Sequence, residues 1–512
     1  MNMAQINVAN LTYGYEGSFD MIFEDVSFSI DTNWKLGLIG RNGKGKTTFL
    51  NLLLGKYAYT GSISTSTMFD YFPYKVSEEQ MEQCAAMCLQ EWKGNCEEWR
   101  VICELGKLRA EADILYQPFK NLSHGERTKV LLAVLFSGEN EFLLIDEPTN
   151  HLDYEARTCV KKYLQRKKGF ILVSHDRDLL DACVDHVLVL NRKSIEVQNG
   201  NFSSWWENKN RKDQFAMAEN DKHLREIKSL KKAADRSQRW AEKSEGRKIG
   251  FDPIKEPERN ISTRSYIGAK TKKMQSRVTQ YERRIEKEIS EKEGLLQDIE
   301  NPASLKLYPM KHQKERLLLC KNICVGYSDS DKTVLKNFDF ELMQGDRIFL
   351  QGENGCGKST FLQSVLAQVS HTATKQVVIK EGTIQCASGL VVSYVNQDTG
   401  YLRGSIRDFC QSQGLEERLF LALLRQLDME RTQFSKPLET FSEGQKKKVL
   451  LAASLMTPAH LYIWDEPLNY IDVFSRMQLE KLILQYAPTM ILVDHDIRFQ
   501  EKIATGVVTL KK

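Results

Sequence analysis

No stretch of the 512-residue chain approaches the roughly 20 consecutive apolar residues that span a bilayer, so a transmembrane helix is not predicted. The first eight residues lack the basic-then-apolar order of a secretory signal. None of the eleven cysteines lies in a Cys-x-x-Cys pair, which argues against a zinc site and for buried, reduced thiols. Together these absences predict a cytoplasmic globular protein, long enough for two or three domains.

The chain also lacks a large net charge, at +4, but the charge is unevenly distributed. Residues 221–280 contain 17 Lys and Arg against 8 Asp and Glu, and residues 261–280 contain no acid at all. Such a local excess of positive charge predicts a polyanionic partner for the middle of the chain.

One set of motifs occurs twice, in the same order. The pattern G-x-x-x-x-G-K-[ST] spans 40–47 and 352–359, each time between a strand-like and a helix-like run. Glycines let backbone N–H groups wrap phosphates at a helix N-terminus, the lysine reaches the terminal phosphates, and the hydroxyl binds Mg²⁺. The predicted ATP-binding loops contain Gly40, Arg41, Asn42, Gly43, Lys44, Gly45, Lys46, Thr47 and Thr48, and Gly352, Glu353, Asn354, Gly355, Cys356, Gly357, Lys358, Ser359 and Thr360.

Acids follow two further apolar runs. Asp146 and Asp465 are predicted to hold Mg²⁺ with Thr47 and Ser359, and the next residues, Glu147 and Glu466, to polarise a water for attack on the γ-phosphate. Histidines that end later strand-like runs are expected to hydrogen-bond that phosphate and act with the glutamates; they are His175 and His495. The chain is therefore predicted to hydrolyse ATP with Mg²⁺.

Two more paired features complete each predicted site. Tyr15 and Tyr327 precede the loop lysine by 31 residues in both copies, which favours adenine stacking over a strand-end core tyrosine. Ser-x-Gly segments precede helical runs, where a serine and free N–H groups can bind an anion. The residues concerned are Ser123 and Gly125, and Ser442, Gly444 and Gln445.

These motifs resemble the ATP-binding cassette superfamily over nearly the whole chain. The resemblance implies an α/β fold with two P-loop NTPase domains in tandem, closing head to tail so that each ATP contacts both halves. It also implies coupling of the two sites through Asp153 and Asp472. One departure is that Gln397, expected to bind Mg²⁺, has Tyr74 in the corresponding first-half position, so we expect two competent but unequal sites.

Between the cassettes (1–207 and 311–512), residues 208–310 have helical periodicity interrupted by Gly and Pro near 246–266. This pattern predicts an α-helical hairpin with its tip there. Basic residues interleaved with aromatics favour RNA contact over a plain solvated spacer. The predicted RNA-contacting residues are Trp240, Lys248, Phe251, Lys255, Arg264, Tyr266, Lys270, Lys272, Lys273 and Arg277.

Two cassettes, no membrane segment and a basic helical linker look like the ABC-F proteins, specifically the antibiotic-resistance branch of Lsa and Vga type. That resemblance implies a monomer that binds the ribosomal E site beside peptidyl-tRNA and displaces lincosamides, streptogramin A and pleuromutilins. A housekeeping translation factor for stalled ribosomes is the alternative. An ABC-transporter ATPase subunit or a DNA-repair ATPase fits less well, because the first leaves the basic linker without a purpose and the second often carries zinc-ligand cysteines.

Overall fold

The computed structural model describes residues 5–15, 21–139, 141–150, 152–190, 195–249, 305–327, 333–370 and 377–510, with short helical runs between 272 and 288. The side chains of 237, 238, 240–249 and 370 lie outside that description. Of the predicted RNA-contacting residues, Lys272 and Lys273 are helical and exposed. The others fall outside the described residues or side chains: Trp240, Lys248, Phe251, Lys255, Arg264, Tyr266, Lys270 and Arg277.

The first cassette alternates strands with helices. Its strands are β1 (Gln5–Gly14), β2 (Met21–Asp31), β3 (Lys35–Ile39), β4 (Thr60–Ser64), β5 (Met68–Phe72), β6 (Glu141–Asp146), β7 (Phe170–Val173), β8 (His186–Leu190) and β9 (Ile195–Asn199). Its helices are α1 (Lys46–Leu53), α2 (Glu78–Glu82), α3 (Ala85–Trp92), α4 (Glu98–Lys107), α5 (His124–Leu135), α6 (Tyr154–Gln165) and α7 (Arg177–Cys183). Short 3₁₀ turns span Ala112–Tyr116 and Phe119–Asn121.

A long helix, α8 (Phe202–Ile249), follows and begins inside the range assigned to the first cassette. By internal packing, residues 206–301 separate from a unit made of 1–205 and 302–512, which holds both cassettes. Within the part of the chain that is described, no helix is both long and apolar enough to cross a membrane.

The second cassette repeats the order of the first. Its strands are β10 (Arg316–Tyr327), β11 (Thr333–Met343), β12 (Arg347–Gln351), β13 (Val377–Cys386), β14 (Val392–Val395), β15 (Leu461–Asp465), β16 (Met490–Val493) and β17 (Gly506–Thr509). Its helices are α9 (Lys358–Ser370), α10 (Ile406–Gln413), α11 (Glu417–Gln426), α12 (Glu443–Met456), α13 (Val473–Tyr486) and α14 (Ile497–Ile503). Its 3₁₀ turns span Arg431–Gln433 and Leu438–Thr440.

Each cassette has two sheets. The main sheets have strand orders β5-β6-β7-β3-β8-β9 and β14-β15-β16-β12-β17, and are parallel except where β9 pairs with β8. The small antiparallel sheets are β2-β1-β4 and β11-β10-β13. Central strands β7 and β16 are apolar and buried at every position, because helices cover both faces of a parallel sheet. The predicted α/β fold with two cassettes is confirmed.

A buried ion network joins the cassettes. Arg177, at the start of α7, pairs with Glu480 of α13 and lies 3.9 Å from Asp496. All three side chains are at most 4% exposed. Nearby, Arg498 of α14 pairs with Asp181 of α7 at 2.5 Å, so the two short helices are cross-linked by charge. These contacts set where the cassettes meet.

We expect Arg177→Ala to destabilise the protein by about 3 kcal/mol, because removing one member of a buried pair leaves its partner charged and desolvated. Lys502 still pairs with Glu480 at 3.1 Å, which keeps the loss at the low end of the range for buried pairs. The check is the midpoint of urea-induced unfolding.

Arg498→Ala is the matched control for this variant. Its side chain is 32% exposed, so we expect a loss of about 1 kcal/mol or less. Equal losses for the two variants would contradict a structural role specific to the buried network.

Candidate nucleotide sites

At the end of each phosphate loop, a helix begins directly after a left-handed glycine. Gly45 has φ 87° and Gly357 has φ 100°, and α1 and α9 start at the next residue. A Cβ on Gly45 would lie 2.5 Å from Ile22, so only glycine fits there. No side chain caps α1, which leaves its first N–H groups directed at the loop, the arrangement that binds phosphates.

The loop lysines fold back over their own loops. Lys46 Nζ donates to the Gly40 carbonyl at 2.6 Å, and Lys358 Nζ donates to the Gly352 carbonyl at 2.7 Å. Each ammonium is thus held against the carbonyl groups at the start of its own loop. An anion bound there would contact the lysine and the helix start together.

The two predicted adenine-stacking tyrosines occupy equivalent positions. The Tyr15 hydroxyl bonds Thr48 Oγ1 at 2.8 Å, and the Tyr327 hydroxyl bonds Thr360 Oγ1 at 3.1 Å. Their side chains remain 45% and 43% exposed. Each ring is therefore anchored to the helix of its phosphate loop while keeping surface available to a base.

The residues expected to bind Mg²⁺ fit that ion in both cassettes. Thr47 Oγ1 donates to Asp146 Oδ2 at 3.0 Å, so a hydroxyl and a carboxylate converge beside the first loop. In the second cassette, both carboxylate oxygens of Asp465 are buried, and the Ser359 hydroxyl is the side chain that hydrogen-bonds this carboxylate. A buried carboxylate with so few donors is costly unless a cation completes it.

The glutamates after these aspartates adopt an uncommon backbone conformation. Glu147 has φ 49° and Glu466 has φ 48°, a left-handed geometry that non-glycine residues rarely adopt outside functional sites. Their N–H groups donate to the carbonyls of Val173 and Val493, which ties each glutamate to the end of the neighbouring strand.

In the first cassette, Glu147 pairs with His175. Nε2 of the imidazole lies 3.3 Å from Oε1, and the His175 backbone N–H donates to Oε2 at 3.3 Å. Burial, with the neighbouring Asp146 carboxylate, raises the pKa of Glu147 to about 8. Burial and the nearby Lys46 lower the pKa of His175 well below its usual value, so the imidazole is neutral at pH 7.

In the second cassette, Glu466 has different neighbours. Asn469 Nδ2 donates to Oε2 at 2.6 Å, and Gln397 also hydrogen-bonds the carboxylate. His495 is farther away, at 3.9 Å from Oε1. Burial lowers the pKa of His495 to about 3 and raises that of Asp465 to about 6. The two glutamates are therefore unequal in their hydrogen bonds.

Among the described residues of the first cassette, none takes the place of Gln397 at Glu147. Tyr74 occupies the equivalent position, but its hydroxyl donates to Asp70 at 2.6 Å. Instead, the hydroxyl of Tyr71 donates to Asp146 Oδ2 at 3.1 Å. The sequence analysis did not predict a role for Tyr71. The available signal was a tyrosine on β5, the strand beside the one that ends in Asp146.

The Ser-x-Gly segments form helix caps. The hydroxyl of Ser123 caps α5 and donates to the Glu126 carboxylate at 2.8 Å. Ser442 caps α12 in the same manner, but its reciprocal partner is the neutral amide of Gln445. Ser123 is thus hydrogen-bonded to a carboxylate, whereas Ser442 is hydrogen-bonded to a neutral amide.

Two cavities form where the cassettes meet. The first cavity, of about 1090 Å³, is lined by phosphate-loop residues of the first cassette and the Ser-x-Gly segment of the second; they include Tyr15, Asn42, Gly43, Lys44, Glu147, His175, Ser442, Gly444 and Gln445. The second cavity, of about 910 Å³, is lined by the reciprocal set, which includes Arg109, Ser123, Gly125, Glu126, Asp153, Glu353 and Asn354. The structure thus brings a phosphate loop to the opposite Ser-x-Gly segment at both cavities.

The two coupling aspartates differ in their surroundings. Asp472 is fully buried and lies 3.4 Å from Lys448. Although burial opposes it, Lys448 and the Ser475 backbone N–H lower the pKa of Asp472 to about 2. Its charge also acts on Lys46 and His175 across the interface. Asp153 caps α6 through the Ala156 N–H at 3.0 Å and lines the second cavity.

Comparison with known proteins agrees with this arrangement. A family model described as ABC transporter matches residues 23–150 and 335–469. The ribosome protection protein VmlR of Bacillus subtilis (strain 168) is 27% identical over 508 residues, which cover 97% of this chain and 85% of VmlR. The ATP-binding protein Uup of Caulobacter vibrioides is 25% identical over 500 residues, which cover 96% and 74%.

A solved structure shares the fold. It is the complex of the archaeal ribosomal stalk protein aP1 with the archaeal ribosome recycling factor aABCE1. The match has a TM-score of 0.61 at 17% identity and covers 98% of this chain and 87% of that chain. At this identity the likeness concerns architecture alone.

The raised pKa of Glu147 predicts a pH-dependent stability effect. A carboxyl with a folded-state pKa of about 8 favours folding below its unfolded-state pKa, and that contribution is lost as pH rises toward 8. We expect Glu147→Gln to stabilise the protein relative to the parent, with a gain that grows between pH 5 and pH 8 by at most about 1.4 kcal/mol per pH unit. Urea unfolding at several pH values measures this difference.

The control is Glu79→Gln, which alters an exposed carboxylate in the first turn of α2. It should give no gain that grows with pH. A pH-independent effect of Glu147→Gln would show that burial does not favour the protonated form there.

Proposed function

We propose that this chain, which belongs to the ABC transporter family through two matched cassettes, is an ABC-F ATPase that acts on the ribosome. Its similarity to VmlR and Uup supports the ABC-F group, and its paired cassettes make it an ATP hydrolase. The observation that carries the proposal is the first cavity, where a phosphate loop of one cassette faces Ser442 of the other. A nucleotide bound there would contact both halves.

The proposed chemistry assigns a role to each residue type. Mg²⁺, bound by Thr47 with Asp146 and by Ser359 with Asp465, would neutralise phosphate charge. Glu147 and Glu466, in their ionised forms, orient and polarise the attacking water, and the neutral imidazoles His175 and His495 hydrogen-bond the γ-phosphate side. Gln397 hydrogen-bonds Glu466 and so positions it. The first site lacks this contact among the described residues, and there the Tyr71 hydroxyl donates to Asp146.

ATP would act by shifting the cassettes toward closure. A ligand that binds between two halves stabilises only the arrangement in which both contact it. Asp472, which reaches Lys46 and His175 electrostatically, couples the first site to the second cassette. In the proposed cycle, a cytoplasmic monomer closes with ATP, binds the ribosomal E site beside peptidyl-tRNA, and leaves after hydrolysis.

The drug-related part of the proposal rests on similarity to a ribosome protection protein. We propose that residues near 246–266 extend toward the peptidyl-transferase centre and displace lincosamides, streptogramin A or pleuromutilins. A housekeeping role in relieving stalled ribosomes is the second candidate. It is favoured by comparable identity, 25% to 27%, to VmlR and to ATP-binding proteins whose names carry no drug function.

Replacing Glu147 and Glu466 together with glutamine should trap the protein on ribosomes in ATP, because closure is kept while hydrolysis is removed. Co-sedimentation with ribosomes measures the bound fraction. The paired variant Lys46→Ala with Lys358→Ala is the control and should sediment freely, since it cannot hold the phosphates. Free sedimentation of the glutamine variant in ATP would contradict the cycle.

The basic stretch should govern ribosome affinity through phosphate contacts. Replacing Lys270, Lys272 and Lys273 with glutamine should weaken binding and make the slope of log K against log salt shallower by about 2. The matched control replaces three exposed lysines of the second cassette with glutamine: Lys311, Lys314 and Lys321. The RNA proposal fails if both sets change the slope equally.

Expression in a drug-sensitive host separates the two candidate roles. Protection predicts raised inhibitory concentrations of lincosamides, streptogramin A or pleuromutilins, and predicts their loss with the lysine variant. Unchanged inhibitory concentrations together with ATP-dependent ribosome trapping would favour the housekeeping role.

A further inference from the structure

Two equivalent positions at the cassette interface carry opposite charges in the two halves. The second residue of the phosphate loop is Arg41 in the first cassette and Glu353 in the second. The second residue after α4 is Arg109, and the second residue after α11 is Asp428. The first cassette therefore presents two positive charges at its interface and the second presents two negative charges.

At the first cavity these charges meet. The Arg41 guanidinium forms an ion pair with the Asp428 carboxylate, and both side chains are about one-fifth exposed. Beside them, Asn42 Nδ2 donates to the Tyr470 carbonyl at 2.9 Å, so the phosphate loop is attached to the opposite cassette at two adjacent residues. Asp428 and Asn42 both line the first cavity, so the pair is adjacent to that space.

At the second cavity the reciprocal pair faces the same space without touching. Arg109 and Glu353 both line that cavity and are exposed, and neither forms an ion pair with any residue that the structure describes. Arg109 has φ 51° and Asp428 has φ 59°, so both are held in the left-handed region that favours glycine. Retaining a charged side chain in that conformation at both positions points to a use for the charge.

We propose that Arg109 and Glu353 form an electrostatic latch that closes the second cavity over nucleotide, as Arg41 and Asp428 do at the first. The opposite charges of the two cassettes also determine which cassettes can pair. Pairing two first cassettes would oppose Arg41 with Arg109, and pairing two second cassettes would oppose Glu353 with Asp428. Each cassette therefore closes on a cassette of the other kind, because like-charge contacts penalise pairing of two first or two second cassettes.

The latch rests on the proposed closure by ATP but not on ribosome binding. Its test is equilibrium binding of the fluorescent analogue mant-ATP with Mg²⁺, in the Glu147→Gln, Glu466→Gln background to prevent hydrolysis. Adding Lys46→Ala limits binding to the cavity of Lys358. Arg109→Glu or Glu353→Arg alone should weaken binding about three- to tenfold, since each turns an attraction into a repulsion.

Combining Arg109→Glu with Glu353→Arg restores opposite charges and should return the affinity to within about twofold of the parent. The matched control is Arg418→Glu, which reverses an exposed arginine of α11 that lines neither cavity. The latch is overturned if the combined variant stays as weak as the single reversals, if the single reversals have no effect, or if the control weakens binding equally.

The same combined variant tests partner selection. Each of its cassettes carries one charge of each sign, so pairing of two first or two second cassettes from different copies no longer opposes like charges. With Lys46 intact and ATP present, sedimentation velocity at tens of micromolar protein should show more dimer than for the parent. Equal dimer fractions would overturn partner selection. Ribosome trapping of the glutamine variant remains an independent readout, so failure of the latch is distinguishable from failure of the proposed function.

Discussion

The burial of Arg177 between Glu480 and Asp496 is the contact on which the arrangement of the two cassettes depends. A guanidinium with almost no exposed surface requires both carboxylates, so α7 of one cassette must lie against α13 and α14 of the other. Once that position is set, the phosphate loop of each cassette faces the Ser-x-Gly segment of the other. The two cavities at the interface are a consequence of this geometry.

Asymmetry is the second theme of the molecule. Duplicated motifs build duplicated backbones, down to paired left-handed residues such as Glu147 and Glu466. The side chains around them have diverged. Glu466 is bonded by Gln397 and Asn469, whereas Glu147 is bonded by His175. Burial raises the pKa of both carboxyls, and that of Glu147 to about 8. Two sites with one backbone and different electrostatics have the means to act at different points of a cycle.

The sequence was informative where function requires a rigid local pattern. Glycine at position 45 is forced by a left-handed turn and by the closeness of Ile22, so the phosphate loop could be recognised from spacing alone. Tyr71 could not be found in that manner. Its hydroxyl reaches Asp146 only because β5 lies beside β6 in register, a neighbour relation between residues 75 positions apart.

By itself, the sequence determined the α/β class, the duplication and the positions of the loop, acid and histidine residues, because each depends on short-range backbone geometry. The tertiary structure alone decided which side chains from different cassettes share a cavity, that Arg41 pairs with Asp428, and that Tyr74 bonds Asp70 and not the catalytic centre. Those outcomes depend on long-range packing and on the desolvation of charged groups, and neither can be predicted from the spacing of residues along the chain.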